Sequence, residues 1–185
     1  MNTRQTLLFI LLLVVIIGSG WFLDGRHGGL QDLSVSHTGP DAFVSAMHLD
    51  VMDASGILRY RVTADHMTHY PSADQLELQH PLIDLQQRNG NTWRISAETG
   101  ETSDSGDLIR LLGKVNIHRS GISGPLQVRT RDLLVKPEQA YATTDSEASI
   151  TAPGYRVDTV GLEADLGSNT LELRNRIRGS IDAPG

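Results

Sequence analysis

The residues that could carry chemistry lie closest together in the segment LRYRVTADHMTHYP, residues 58–71, where His66 and His69 stand near Asp65. Imidazole and carboxylate groups are common zinc ligands, so this spacing could serve a metal centre or a histidine-dependent enzyme. On an unbroken strand, however, residues three apart face opposite sides. A bulge could bring the two rings together, but a metal would still need a third ligand and supporting hydrogen bonds. We therefore expect no metal site and interpret both histidines as polar or bulge positions of a strand.

The rest of the chain contains no motif that supports catalysis. It has no cysteine, and it lacks the G-x-S-x-G, P-loop, G-x-G-x-x-G and H-E-x-x-H patterns. The net charge of −6 disfavours nucleic acid as a partner, because phosphate binding needs a concentrated basic face. The sequence therefore predicts a protein that is not an enzyme and that needs no cofactor.

The N-terminus has the pattern of a membrane segment. Residues 7–17, LLFILLLVVII, are all Leu, Ile, Phe or Val, and at 1.5 Å per residue the helix predicted over residues 6–23 would span about 27 Å. We expect a cytoplasmic tail over 1–5, a transmembrane anchor helix over 6–23, a periplasmic linker over 24–41 and a folded domain over 42–185. The alternative is a signal peptide removed after the small residues GSG.

The body alternates apolar and polar residues with the period of two that is typical of β-strands. One face of the first predicted strand carries Phe43, Met47, Leu49 and Val51, while His48 lies on the other face. After the turn DASG, the apolar residues Leu58, Tyr60, Val62 and Ala64 alternate with polar ones. The pattern predicts a hairpin with one dry face and one wet face.

The same pattern then repeats along the chain. Two-strand units begin at Val62, Ile95, Val128 and Val157, at spacings of 33, 33 and 29 residues. Such a unit cannot bury its apolar face alone, so the units are expected to stack into an elongated sandwich or rolled sheet with one continuous interior. Pro81 interrupts one strand and the apolar frame shifts across it, which predicts a bulge or an edge there.

Four segments resemble the LptC family of the lipopolysaccharide export system: DASGILRYRVTADHMTHYP from Asp53, LQHP from Leu78, WRISAETG from Trp93 and LLGKVNIHR from Leu111. The resemblance implies an all-β fold, a twisted open β-jellyroll of antiparallel strands like those of LptA and LptC, preceded by one transmembrane α-helix. It implies a single-pass protein of the Gram-negative inner membrane whose C-terminal domain is periplasmic. It also implies that this domain receives lipopolysaccharide from the LptB–LptF–LptG transporter and passes it to LptA by edge-to-edge strand pairing.

Alternation within this implied fold predicts the residues that line the lipid-binding groove: Met47, Leu49, Leu58, Leu78, Ile83, Ile95, Leu111, Val115, Val128, Leu171 and Leu173. The last predicted strand is the expected interface with LptA, through Leu171, Leu173, Ile177 and Ile181. Two alternatives remain open. The domain could be a structural adaptor that docks transporter to bridge without holding lipid, or an uncharacterised periplasmic enzyme that uses the histidines.

Overall fold

The computed structural model describes residues 39–87, 90–103 and 106–181. Eleven strands follow one another in this part of the chain: β1 Ala42–Met52, β2 Leu58–Tyr70, β3 Gln75–Gln79, β4 Leu82–Gln86, β5 Thr92–Ser96, β6 Thr99–Thr102, β7 Ile109–Ser120, β8 Leu126–Lys136, β9 Tyr141–Ala152, β10 Tyr155–Asp165 and β11 Thr170–Ile181. A single 3-10 turn, Pro137–Gln139, joins β8 to β9. The expected anchor helix lies outside the described residues, and among those that are described no helix is long and apolar enough to cross a membrane.

All strand pairs are antiparallel, which confirms the all-β prediction. Strands β7 to β11 pair in chain order, as in a meander. On the other side of β7 the sheet divides into two paths. One half of β7 pairs with β5, which leads through β4 to the start of β2, and the other half pairs with β6, which leads through β3 to the end of β2. Strand β1 runs along the remaining edge of β2.

The division between the two paths occurs where the sequence predicts an interruption. His80, with φ 48°, and Pro81 separate β3 from β4. Leu78 before the interruption and Ile83 after it are both buried, although five residues apart they would face opposite sides of a continuous strand. The predicted change of frame at Pro81 is thus confirmed, because the chain leaves the ladder for two residues and returns in the other phase.

A line of irregular backbone crosses the middle of the strands. Positive φ angles occur in or between the strands at Ala46, His80, Gly113, Asp132, Gly161 and Arg176. Register shifts accompany them, between Leu111 and Lys114 in the β7–β8 pair and between Val160 and Leu162 in the β9–β10 pair. Because bulges bend a sheet and increase its twist, this line allows the two halves of the sheet to fold over one another.

Buried threonines replace missing ladder bonds along this line. The β8–β9 ladder has no pairing between Arg129 and Leu134. Three hydroxyls donate to carbonyls of neighbouring strands: Thr130 Oγ1 to Glu147 O at 2.9 Å, Thr144 Oγ1 to Arg131 O at 2.9 Å and Thr159 Oγ1 to Asn175 O at 3.0 Å. The bend therefore leaves fewer backbone acceptors unsatisfied than the broken ladder alone would.

Candidate functional site

The interior between the two halves of the sheet is continuous and mainly aliphatic, with Tyr60 and Trp93 as its buried aromatic residues. Six of the residues predicted to line a groove are at most 1% exposed: Leu78, Ile83, Ile95, Leu111, Val115 and Val128. Five of these six belong to one buried cluster that runs from Tyr60 on β2 to Leu166 after β10; Leu78 is buried outside it. Alternation identified the inward face correctly, and in this structure those side chains are packed against one another.

The remaining predicted groove residues lie at the margins of this interior. Met47, Leu171 and Leu173 are partly buried and pack against the cluster. Leu58 is also partly buried, whereas Leu49 is 44% exposed. Of the other residues predicted for the partner interface, Ile177 is 56% exposed and Ile181 is 85% exposed. The structure therefore separates the eleven groove candidates into a sealed centre and an accessible rim.

A cleft of about 1040 Å³ opens at one end of the interior; its lining is largely apolar, and we call it the apolar cleft, although Asp53, Arg59, Gln86 and Gln87 also line it. Its walls come from the β1–β2 hairpin, the end of β4, the 3-10 turn and the chain that follows β10. The apolar residues that line it are Met52, Ala54, Ile57, Leu58, Leu85, Pro137, Ala140 and Leu166. Met52 and Ile57 are 50% and 58% exposed, while Leu85 and Leu166 are buried, so the cleft leads from solvent to the edge of the core.

Hydrogen bonds join the two layers around this apolar cleft. The Gln87 amide donates to Leu166 O and the Arg59 guanidinium donates to Glu138 O at 2.6 Å. Leu166 N donates to Ala140 O at 2.7 Å, which extends the β9–β10 pair by one residue within a single layer. Among the described residues that line the cleft, these contacts are hydrogen bonds and none is an ion pair.

The hairpin that forms one wall of the cleft is ordered by Asp53. Its Oδ1 accepts hydrogen bonds from Ser55 N at 2.8 Å and Ile57 N at 3.0 Å. A carboxylate that accepts backbone amides in this way stabilises a tight turn. The turn places Met52 opposite Leu58, and both Met52 and Ile57 line the cleft at its exposed side. Alternation missed both residues because they flank a turn, although two apolar residues beside DASG were a usable signal.

Both terminal strands of the described sheet are edges. Strand β1 pairs only with β2, and β11 pairs only with β10. Exposed apolar side chains accompany each edge: Phe43 and Val44 on β1, and Ile177 and Ile181 on β11. An edge strand with unpaired backbone groups is a template for addition of a strand from another chain.

The two histidines that opened the sequence analysis have separate neighbours. The His66 ring stacks on Phe43 with 5.3 Å between centroids, while His69 Nδ1 lies 2.6 Å from Asp41 Oδ1. Within the described ranges, no group of three potential ligands is placed to hold a metal ion. The side chains therefore serve the β1–β2 pair rather than a shared centre.

The clearest electrostatic feature near this edge is a bidentate ion pair. Arg61 Nε and Nη2 donate to the two oxygens of Asp50 at 2.6 and 2.7 Å. The hydrogen bond from Arg61 lowers the pKa of the Asp50 carboxyl, and the same contact raises the pKa of Arg61. Burial raises the pKa of the Tyr60 hydroxyl.

The fold defines the class of protein: a bent antiparallel β-jellyroll of the LptA type. A solved structure with this fold is LptH, described as the LptA homologous periplasmic component of the conserved lipopolysaccharide transport device from Pseudomonas aeruginosa. It matches with a TM-score of 0.52 and 11% identity, over 67% of this chain and 95% of that one. The sequence matches the family described as lipopolysaccharide-assembly, LptC-related, over residues 8–182, and the chain belongs to this family. No curated protein matches it significantly.

Proposed function

We propose that the domain binds the acyl chains of lipopolysaccharide between its two layers and passes the lipid from an inner-membrane transporter to LptA. The observation that carries this proposal is the apolar cleft of about 1040 Å³ at the end of a continuous aliphatic interior. Acyl chains would enter between the β1–β2 hairpin and the 3-10 turn. The buried groove residues would then form walls against which the chains pack as the layers separate.

The energetics of an aqueous crossing support a carrier of this kind. Burial of one methylene group is worth about 0.8 kcal/mol, so exposing a single long acyl chain costs on the order of 10 kcal/mol. Shelter must therefore be continuous along the route. Aliphatic side chains from at least five strands, including Ile83, Leu111 and Val128, supply such a lining without demanding one ligand shape.

The proposed setting follows from the family and from the N-terminal sequence. Residues 6–23 would anchor the chain in the inner membrane as a single-pass helix, with residues 1–5 cytoplasmic, 24–41 as linker and 42–185 in the periplasm. The β11 edge would receive a strand of LptA, and the first strands would face the LptB–LptF–LptG transporter. The domain itself would hydrolyse nothing, because energy would come from the transporter.

Site-specific photocrosslinking in cells tests the lipid route. A photoreactive residue at Leu58 in the apolar cleft and another at Ile95 in the buried interior should both capture lipopolysaccharide. Ile122 is 83% exposed on the turn between β7 and β8 and serves as the matched apolar control. Capture at Ile122 equal to that at Leu58 and Ile95 would contradict an interior route.

A second candidate function is supported by the packing of the interior. Because Ile83, Ile95, Leu111 and Val128 have no exposed surface, the domain could act as an adaptor that joins transporter to bridge without holding lipid. This alternative predicts no crosslink from Ile95, while the edge of β11 would remain essential for assembly. Crosslinking from Leu58 alone would indicate that lipid passes only through the outer cleft.

A further inference from the structure

A second cleft, of about 480 Å³, lies across the C-terminal strands and is lined by four arginines. They are Arg129 and Arg131 on β8, and Arg176 and Arg178 on β11. We propose that this arginine cleft is a binding site for phosphate monoester groups such as those of a glycolipid headgroup. The inference rests on the proposed function only for the source of the phosphate, and it concerns a site separate from the apolar cleft.

The strand register brings these side chains together. One rung of the sheet runs through Arg129 on β8, Ser149 on β9, Asp158 on β10 and Arg178 on β11. Neighbouring strands lie about 4.8 Å apart, so the two arginines of this rung are separated by roughly 14 Å of backbone. Two long arginine side chains can extend toward each other across this distance and both contact one ligand.

The arginines of the cleft differ from most others in the described chain in lacking acidic partners. Elsewhere, ion pairs hold Arg61 to Asp50 and Arg94 to Asp84, and Arg174 contacts both Asp145 and Glu163. In contrast, none of the four cleft arginines forms an ion pair with a described residue. Among the described residues, the Arg129 side chain donates only to the neutral Gln127 amide oxygen, at 3.3 Å. Four guanidinium groups without an ion pair to a described residue make a local positive site on a chain of net charge −6.

An unsatisfied hydroxyl gives independent support. Ser149 lines the cleft, and its Oγ is buried without a hydrogen-bond partner in the part of the chain that the structure describes. A buried polar atom in this state is costly unless a water or a ligand completes its hydrogen bonding, and the cleft gives either access to Ser149. A phosphate oxygen would accept the Ser149 proton while guanidinium groups donate to the others, and the planar fork of arginine suits phosphate in particular.

Two carboxylates moderate the charge of the cleft. Asp158 Oδ1 lies 3.7 Å from Nε of Arg156, which is not one of the four cleft arginines. Glu147 also lines the cleft, and it forms no ion pair with a described residue. Four arginines against two carboxylates leave the cleft cationic. Glu147 would repel a bound anion, so its removal should strengthen binding. General destabilisation of the fold would lower the affinity, so a gain of affinity in this variant cannot be explained by it.

The test uses the full chain in a nonionic detergent and three probes: lipopolysaccharide, the same lipopolysaccharide after removal of its phosphate groups, and inorganic phosphate. In the double variant Arg129→Gln and Arg178→Gln, affinity for the phosphorylated lipid should fall about tenfold or more, as expected for lost charge-assisted hydrogen bonds. Affinity for the dephosphorylated lipid should not change. Arg110→Gln is the control, since Arg110 is exposed, lies outside the cleft and forms no ion pair with a described residue.

Two single variants separate binding from folding. Ser149→Ala should weaken binding of the phosphorylated lipid about threefold or more without lowering the melting temperature, because it removes a hydroxyl that has no hydrogen-bond partner among the described residues. Glu147→Gln should strengthen that binding. If the double variant abolished binding of inorganic phosphate but left binding of lipopolysaccharide unchanged, the ligand of the cleft would be a soluble phosphate and not a lipid headgroup.

Two results would overturn the proposal. One is that wild type and the double variant bind lipopolysaccharide with equal affinity and also bind inorganic phosphate with equal affinity. The other is an equal loss of affinity in the Arg110 control. A failure of the proposed function would give a different result. The wild-type chain would then not bind the dephosphorylated lipid, while the double variant would still bind inorganic phosphate more weakly than wild type.

Discussion

Trp93 Nε1 donates a hydrogen bond to Asn169 Oδ1 at 3.2 Å, although three other strands separate β5 from β10 in the sheet order. The bond can form only because the sheet folds over and brings its two halves face to face. The indole is fully buried, and the Arg119 guanidinium lies 5.6 Å above its ring. One buried side chain thus connects the N-terminal strands to the turn between β10 and β11.

Loss of this bond should destabilise the closed interior. Asn169→Gly should lower the free energy of unfolding by about 1 kcal/mol, the typical worth of one hydrogen bond. Asn169→Ala should cost roughly 1–2 kcal/mol more, because Asn169 has φ 61° and alanine is disfavoured there. Urea unfolding followed by tryptophan fluorescence measures both. If the two variants were equally stable, strain at this turn would have no part in the effect.

The bend in β7 should depend on Gly113. Its φ is +78°, and a Cβ there would collide with the Glu98 side chain. Gly113→Ala is therefore expected to cost about 1–3 kcal/mol in unfolding free energy. Gly154→Ala is the matched control, since Gly154 has φ +82° with open space around it. A smaller loss in that control isolates the contribution of crowding at the bend, whereas equal losses would exclude it.

Leu58 should matter more for lipid binding than for stability. Leu58→Arg places a charge in the apolar cleft, where acyl chains would have to desolvate it, and should weaken lipopolysaccharide binding tenfold or more, or about 1.4 kcal/mol. Because the residue is only partly buried, the arginine head can reach solvent in the free protein. Ile122→Arg is the control at an exposed turn, and equilibrium binding of labelled lipopolysaccharide is the measurement. An unchanged affinity in Leu58→Arg would exclude the apolar cleft from the route.

The Asp50–Arg61 ion pair should make stability depend on acid. The pKa of Asp50 is lower in the folded chain than its ordinary value, chiefly because Arg61 donates a hydrogen bond to it. The contribution is therefore present above the ordinary aspartate pKa and is lost as the pH falls below about 4. Thermal unfolding at pH 7 and pH 3 should show a stability difference between wild type and Asp50→Asn that shrinks in acid. Asp107→Asn, at an exposed carboxylate with no ion pair among the described residues, should show no such change.

The exposed apolar residues of β11 should serve assembly rather than folding. Ile177→Asp and Ile181→Asp are expected to weaken association with LptA while changing the free energy of unfolding by less than about 0.5 kcal/mol, as is usual at the surface. Pull-down of LptA by the full chain, with Ile122→Asp as the exposed control, measures the effect. Normal association of both β11 variants would place the interface elsewhere, for example at the β1 edge.

The sequence by itself determined the local structure and the family of this chain. Period-two alternation predicted antiparallel strands and identified Leu78, Ile83, Ile95, Leu111, Val115 and Val128 as inward-facing, because the two faces of a strand meet different solvents. Pro81 marked an interruption because proline cannot donate to a ladder. Segments such as LRYRVTADHMTHYP indicated the family that the match over residues 8–182 then established.

Only the tertiary structure decided which of those inward residues are sealed and where the interior opens. The contacts that close the layers join residues far apart in the chain, with separations of 79 positions for Arg59 and Glu138, 79 for Gln87 and Leu166, and 76 for Trp93 and Asn169. Alternation reports the face of a strand but not the partner it meets across the fold. For the same reason the arginine cleft was invisible in the sequence: β8 and β11 contribute to it only after register aligns Arg129 with Arg178 across two intervening strands.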